Sequence, residues 1–267
     1  MKNTNLLVGI TNSGKTKMIF DYLKEIINSG ENFIVNDTKE EYYKTFMPTL
    51  KENGYKTYLI NYKDALNSNG FNPLIVPYKL YKSGNKDLAI DEINNIANEL
   101  FKNDEAMDPF WQNSASDYFK GLTLLLFEIG KEEEINLGSV GMMLLQAENN
   151  KETFDKFKEY IKSLEFTNPI YIFLSGTVFA PVETRGGIVS VLKIELNKYI
   201  SKENLLNLLC QNELDLNDLK EKTAIFVIGN ENTNRLTNIL IDQLYNSNNN
   251  FNYIMDNIDS LISINSL

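Results

Sequence analysis

The residues from Gly9 to Thr16 read GITNSGKT, which fits the phosphate-binding pattern G-x-x-x-x-G-K-T. Such a loop offers backbone N–H groups to phosphate oxygens, and the helix after it directs its positive end at them. We expect Lys15 to neutralise the β and γ phosphates and the Thr16 hydroxyl to ligate magnesium. The other expected nucleotide-binding residues are Gly9, Thr11, Asn12, Ser13 and Gly14. The motif predicts a site for ATP and Mg2+, with an ordinary glycine turn as the alternative.

Two carboxylates at predicted strand ends are candidates for the same site. Asp256 ends the apolar segment FNYIMD and is expected to hold the magnesium shell, or else only to cap the next turn. Asn257 follows it, and an amide cannot act as the base that activates water. Asp37 ends the segment FIVND and could either touch magnesium or cap the helix that begins near Glu40. Binding of nucleotide is therefore predicted, and hydrolysis stays open.

Arg185 stands just before two glycines, which predicts the start of a flexible loop. From such a loop its guanidinium could reach a phosphate across a subunit boundary, or it could make only a surface ion pair. The chain has no His and one Cys, Cys210, which excludes Ser-His and Cys-His nucleophiles, His-ligated metals and intrachain disulfides. Cys210 lies on an apolar helical pattern and is expected to be a packed thiol.

The elements around these residues alternate between strand and helix, which predicts an α/β fold with a mainly parallel sheet. Predicted strands lie at 6–8, 33–35, 57–60, 170–174, 224–228 and 251–255, and predicted helices at 15–29, 40–52, 187–200 and 234–245. Between about 85 and 165 only helical patterns occur, including one capped by Asp108-Pro109 and others near 139–146 and 151–164. Trp111 and the pair Met142-Met143 lie on apolar helical patterns and are expected to pack in the core.

These patterns predict three parts along the chain. The first part of a P-loop NTPase core spans 1–84, an all-α insertion domain spans 85–166, and the second part of the core spans 167–267. No stretch reaches the ~18 to 20 apolar residues of a membrane span, and the polar start MKNTN is unlike a signal peptide. The sequence therefore predicts a cytoplasmic protein. Its net charge of -10 opposes broad adhesion to nucleic acid, so any DNA contact must be local.

Several segments, in order, resemble the coupling ATPases of type IV secretion and conjugative DNA transfer, the TraG/TraD/TrwB family. GITNSGKT resembles the first phosphate motif, and VNDTKEEYY resembles a strand ending in an Asp-Pro-Lys-Gly-Glu signature, matched at Asp37, Lys39 and Glu41. Further similar segments are ENGYKTYLIN, SNGFNPL, DPFWQNSASDYFKGL, KTAIFVIGNENTN, QLY and FNYIMDNID. The resemblance implies a RecA-like core interrupted by a helical domain and a homo-hexameric ring at the inner face of the plasma membrane. It also implies ATP-driven transfer of single-stranded DNA with its relaxase, or of protein, into a channel of secretion proteins.

The chain departs from the family's pattern at several points. The usual Asp-Glu of the second motif is Asp256-Asn257, and Pro and Gly of the Asp37 signature are Thr38 and Glu40. The membrane helices and the further core strands that family members carry are not expected within this sequence. These departures keep open a truncated or degenerate relative that binds nucleotide or partner proteins without turnover. A ring translocase of the FtsK/HerA type is a third interpretation.

Overall fold

The computed structural model describes residues 15–103, 108–219, 222–247 and 250–255. Eleven α-helices, three short 3-10 helices and four strands lie in these ranges. The strands are β1 Phe33–Asn36, β2 Lys56–Asn61, β3 Thr223–Ile228 and β4 Asn252–Met255. The helices are α1 Lys15–Ser29, α2 Glu41–Glu52, α3 Ile75–Lys82, α4 Lys86–Phe101, α5 Phe110–Ile129, α6 Leu137–Ala147, α7 Lys151–Ser163, α8 Pro169–Val178, α9 Val182–Ile200, α10 Glu203–Cys210 and α11 Asn234–Asn246. No helix in these ranges is both long enough and apolar enough to cross a membrane.

The chain divides into two compact units. One unit consists of Met1–Phe71 together with Gln211–Leu267, and the other is Asn72–Cys210. Every described element of the second unit is helical. The helical unit therefore begins earlier and ends later than the insertion predicted at 85–166.

The first unit is built on a parallel sheet in the order β2-β3-β1-β4. Strands β1 and β3 are buried along their whole length, as expected for apolar runs covered on both faces of a parallel sheet. The predicted α/β class with a parallel sheet is thus confirmed. Helices α1 and α2 pack against one face, where the Phe33 and Phe226 rings meet edge to face with centroids 5.7 Å apart. Full burial of each such ring contributes about 1.5 to 3 kcal/mol. The predicted strand at 6–8 lies outside the described residues.

The second unit packs its helices around α5, whose middle turns are almost wholly buried. Gly121 lets α8 approach this helix closely, because a Cβ at that position would lie 2.4 Å from Leu174 Cδ2. As predicted, α5 follows directly after Asp108-Pro109, and the Asp108 carboxylate accepts a hydrogen bond from the Phe110 N–H at 2.9 Å. The close approach at Gly121 fixes α8 against the centre of the unit.

The strand predicted at 170–174 is wrong, because these residues lie in helix α8. A short apolar run is compatible with either a strand or a buried helix. Here Asn168 caps the helix by accepting a hydrogen bond from the Ile170 N–H at 2.9 Å, and Pro169 occupies the first turn. Residues 167–210, which were assigned to the core, accordingly belong to the helical unit.

Candidate nucleotide site

The helix that should follow a phosphate loop is present in the described part of the chain. Helix α1 starts at Lys15, and Thr16 in its first turn is half-buried. The loop residues Gly9, Thr11, Asn12, Ser13 and Gly14 lie outside the described residues, as do the side chain of Lys15 and all of Asp256 and Asn257. The described residues therefore show only the elements that flank the predicted site.

Helix α1 runs antiparallel to the strands. Towards its C-terminal end, the Ile26 carbonyl accepts a hydrogen bond from the hydroxyl of Tyr55, which directly precedes β2. In the N-terminal half of α1, the Phe20 ring lies 5.1 Å from that of Tyr42, in the first turn of α2. Helix α2 begins after the carboxyl end of β1, so the first turn of α1, with Thr16, lies towards the carboxyl edge of the sheet. Ligands of parallel α/β sheets bind at this edge.

Strands β1 and β4 are direct neighbours whose ends are in register. Asn36, the last residue of β1, pairs with Met255, the last residue of β4. Asp37 and Asp256 are the next residues along the chain, and consecutive Cα atoms are about 3.8 Å apart. The two carboxylates predicted from the sequence thus follow paired residues on neighbouring strands.

Asp37 caps helix α2. Its Oδ1 accepts a hydrogen bond from the Glu41 N–H at 3.0 Å, and its Oδ2 accepts one from the Tyr43 N–H at 2.8 Å. The residue is fully buried, and this burial raises the pKa of its carboxyl above the ordinary value, while the backbone hydrogen bonds act in the opposite direction. Of the two interpretations, the geometry favours the cap, since both carboxylate oxygens are already engaged.

The loop between Asp37 and α2 explains one departure from the family's signature. Glu40 has φ 61°, in the left-handed region, at the position where that signature carries Gly. Glycine adopts this conformation without a steric cost, whereas a residue with a Cβ does not. Glu40 forms an ion pair with Lys44 at 2.7 Å, which offsets part of that cost. Glu40 therefore adopts a backbone conformation that suits glycine, the residue of the family's signature at this position.

Lys63 is a residue of this edge that the sequence did not single out. It follows β2, and its Nζ donates a hydrogen bond to the Thr38 carbonyl at 2.6 Å. Because β3 lies between β2 and β1, the side chain crosses the carboxyl end of β3 to make this contact. The exposed ammonium group adds a positive charge that can contact an anionic ligand. Its place two residues after a strand end is the sequence signal that could have identified it.

Arg185 does not lie in a loop. It lies in the first turns of α9, where its Nε is 3.5 Å from Glu148 Oε2 and its guanidinium lies 3.5 Å from the centroid of the Phe154 ring. Glu148 also accepts a hydrogen bond from the Tyr118 hydroxyl at 3.2 Å. Burial and the Glu148 charge raise the pKa of Tyr118, so this hydroxyl remains a donor. The prediction of a flexible loop is wrong because the two glycines after Arg185 are accommodated inside a helix.

Two further expectations concern the helical unit. The Trp111 ring lies against Gly187, where a Cβ would be 2.4 Å from its Cζ3, but Trp111 remains 37% exposed and Met142 is 56% exposed. The predicted core packing is therefore wrong for Met142, because the apolar stripe of α6 is wider than its buried face. It is only partial for Trp111 on α5 and for Met143, which is half-buried. Cys210 ends α10, and burial raises the pKa of its thiol, as expected for a packed thiol.

The parallel sheet, with a phosphate-loop sequence leading into α1, defines an α/β protein of the kind that binds ligands at the carboxyl edge. The family model for type IV secretory system conjugative DNA transfer matches residues 3–262. The chain therefore belongs to this family, and the resemblance inferred from its motifs is confirmed. The family indicates a role in conjugative DNA transfer, with DNA and secretion-system proteins as partners. No curated protein matches the chain.

Proposed function

We propose that this chain is the ATP-binding, ATP-hydrolysing motor unit of a conjugative DNA-transfer system. It moves single-stranded DNA, with a relaxase-type protein attached, or protein alone, towards a secretion channel. The observation that carries the proposal is helix α1, which contains Lys15 and Thr16, the last two residues of a complete G-x-x-x-x-G-K-T sequence. A RecA-like core assembled as a homo-hexameric ring is the arrangement that we infer for such a motor.

The residues flanking the site fit ATP and magnesium. Lys15 contacts the β and γ phosphates, and the backbone from Gly9 to Gly14 surrounds them. The hydroxyl of Thr16 and the carboxylate of Asp256 hold the magnesium shell, and the metal neutralises charge on the phosphates. Asp37 caps α2 and thereby holds the end of β1, the neighbour of the strand that leads to Asp256, in place.

Replacing Lys15 with Ala tests the binding step. Charge-assisted hydrogen bonds contribute about 1.5 to 3 kcal/mol each, so we expect the affinity for Mg-ATP to fall by at least about tenfold in titration calorimetry. Lys17→Ala is the matched control, because Lys17 is exposed on the same helix and lies outside the motif. Unchanged ATP affinity in Lys15→Ala would remove the basis of the proposal.

A second candidate function is nucleotide binding without turnover. It is favoured by Asn257, which stands where the family carries the Glu that activates water. Steady-state phosphate release, measured with and without single-stranded DNA, separates the two functions. Turnover in the wild type that is lost in Asp256→Ala supports the motor. Absence of turnover in the wild type, with turnover appearing in Asn257→Glu, identifies a binding protein that lacks only the base.

A further inference from the structure

One face of helix α8 is apolar and exposed. Pro169, Ile172 and Gly176 lie on this face, and Phe179 follows directly after the helix; we call these four residues the α8 seam. Ile172 is 57% exposed and Phe179 is 37% exposed. The spacing of three, four and three residues is that of a helix which packs against another helix along one side. The opposite side of α8 is occupied by α5 at Gly121.

The surroundings of the α8 seam are also uncharged. No Asp, Glu, Lys or Arg occurs from Phe166 to Val182, although 23% of the chain is charged. Phe166 and Val182 are 79% and 68% exposed, so they extend the apolar surface at both ends. A contiguous exposed apolar surface of this kind marks a site of protein–protein contact.

Gly176 lies in the middle of the α8 seam. No atom lies within 4 Å of the position that a Cβ would occupy there. The glycine therefore leaves a notch between Ile172 and Phe179, which allows the backbone of a second helix to approach closely. A side chain of that second helix can enter the notch, as in knobs-into-holes packing.

Opposite charges stand at the two ends of the α8 seam. The Lys158 Nζ lies 5.7 Å from the centroid of the Phe179 ring, and Glu165 is exposed beside Phe166. Neither side chain forms an ion pair with another residue in the described ranges. One end is thus positive, the other is negative, and the surface between them is apolar.

We infer that the α8 seam is the docking surface for a second copy of this chain, in an antiparallel arrangement about a two-fold axis near Ile172. This axis brings Phe166 of each copy opposite Phe179 of the other, and Pro169 opposite the notch at Gly176. In this arrangement Lys158 of each copy meets Glu165 of the other, so the same pair forms twice. The dipoles of the two helices also oppose each other, which is favourable. The inference goes beyond the proposed function, because no residue of the nucleotide site takes part in it.

The contact is small. Helix α8 has ten residues and is therefore about 15 Å long, whereas a standard stable interface buries about 800 Å² on each partner. A seam of this length supports a weak, reversible dimer with a dissociation constant in the micromolar range, on the order of 10 to 100 µM.

Sedimentation velocity of the full chain, from about 1 to 500 µM, tests this dimer. Without nucleotide and DNA, so that the motor ring is not assembled, we expect a monomer–dimer equilibrium in the wild type and a dissociation constant at least tenfold higher in Gly176→Glu. Gly186→Glu is the matched control, because Gly186 is also an exposed helical glycine with no atom within 4 Å of a Cβ. Both substitutions replace a helical glycine with a better helix former, so neither threatens folding.

Charge exchange tests the antiparallel geometry itself. Lys158→Glu and Glu165→Lys each place like charges together at both ends, so each should weaken the dimer by about three- to tenfold. The double variant should restore the wild-type affinity. Three results would each overturn the inference. The wild type could stay monomeric at the highest concentration, the two glycine variants could have equal effects, or the double variant could fail to restore the affinity. Lys15→Ala should leave the dimer unchanged, so failure of this proposal and failure of the ATP site are distinguishable.

Discussion

Replacing Arg185 with Ala removes the cation that pairs with a nearly buried carboxylate. The Arg185 and Glu148 side chains are only 17% and 12% exposed, and their Nε and Oε2 atoms are 3.5 Å apart. Loss of the guanidinium over the Phe154 ring costs about 1 to 2 kcal/mol in this largely desolvated setting. Leaving Glu148 with the Tyr118 hydroxyl as its one side-chain partner among the described residues costs about 1 to 3 kcal/mol more. We therefore expect the free energy of unfolding of the helical unit to fall by about 3 kcal/mol.

Urea unfolding, monitored by tryptophan fluorescence, measures this loss of unfolding free energy within the helical unit. Trp111 is the one tryptophan of the chain, and its ring packs on Gly187, two residues beyond Arg185. With an m-value of about 2 kcal/mol/M, the urea midpoint should fall by about 1.5 M. Lys156→Ala is the control, since Lys156 and Glu152 form an ion pair that is largely exposed and should contribute less than about 0.5 kcal/mol.

The same variant separates a structural role of Arg185 from a role at a phosphate. If Arg185→Ala keeps the wild-type urea midpoint but loses ATP turnover by about a hundredfold or more, the reasoning from the Glu148 pair is refuted. A double-mutant cycle with Glu148→Gln adds a second check. The two substitutions should be clearly non-additive, because they remove the same contact.

Two further predictions concern the loop that links β1 to α2. Burial raises the pKa of Asp37 in the folded state above its ordinary value of 3.8, so the folded state binds this proton more tightly than the unfolded state. The free energy of unfolding of the wild type, relative to that of Asp37→Asn, should therefore rise as the pH falls through the raised pKa and level off below about 3.8. A difference in urea unfolding that does not depend on pH would contradict this. Glu40→Gly should be more stable than Glu40→Ala by about 1 kcal/mol in the same assay, because only glycine tolerates φ 61° without strain; equal stabilities would show that the loop relaxes.

Much of the fold followed from local patterns. The predicted helix at 15–29 coincides with α1, and the predicted strands at 33–35, 57–60, 224–228 and 251–255 correspond to β1 to β4 within two residues at each end. These segments have strong periodicity or are dense in β-branched and aromatic residues, so local preference and burial favour the same structure. The order of the motifs identified the family for the same reason, because each motif is a short stretch with its own local geometry.

The residues 170–174 show where local patterns fail. Their apolar run fits a buried strand, and only the close approach of α5 at Gly121, together with the cap at Asn168, selects the helix. The bounds of the helical unit depended on the same choice, since α8, α9 and α10 pack together with α5 and α6 rather than on the sheet.

By itself, the sequence determined the phosphate-loop pattern, the α/β class, the family and the helical character of the middle of the chain, because these depend on neighbouring residues. Only the tertiary structure decided the strand order, which places Asp37 beside the strand that leads to Asp256. Only the tertiary structure also showed that both Asp37 carboxylate oxygens cap α2. It also decided that Arg185 pairs with Glu148, 37 positions earlier in the chain. Partners so distant in sequence leave no local pattern, since their contact is created by packing between helices.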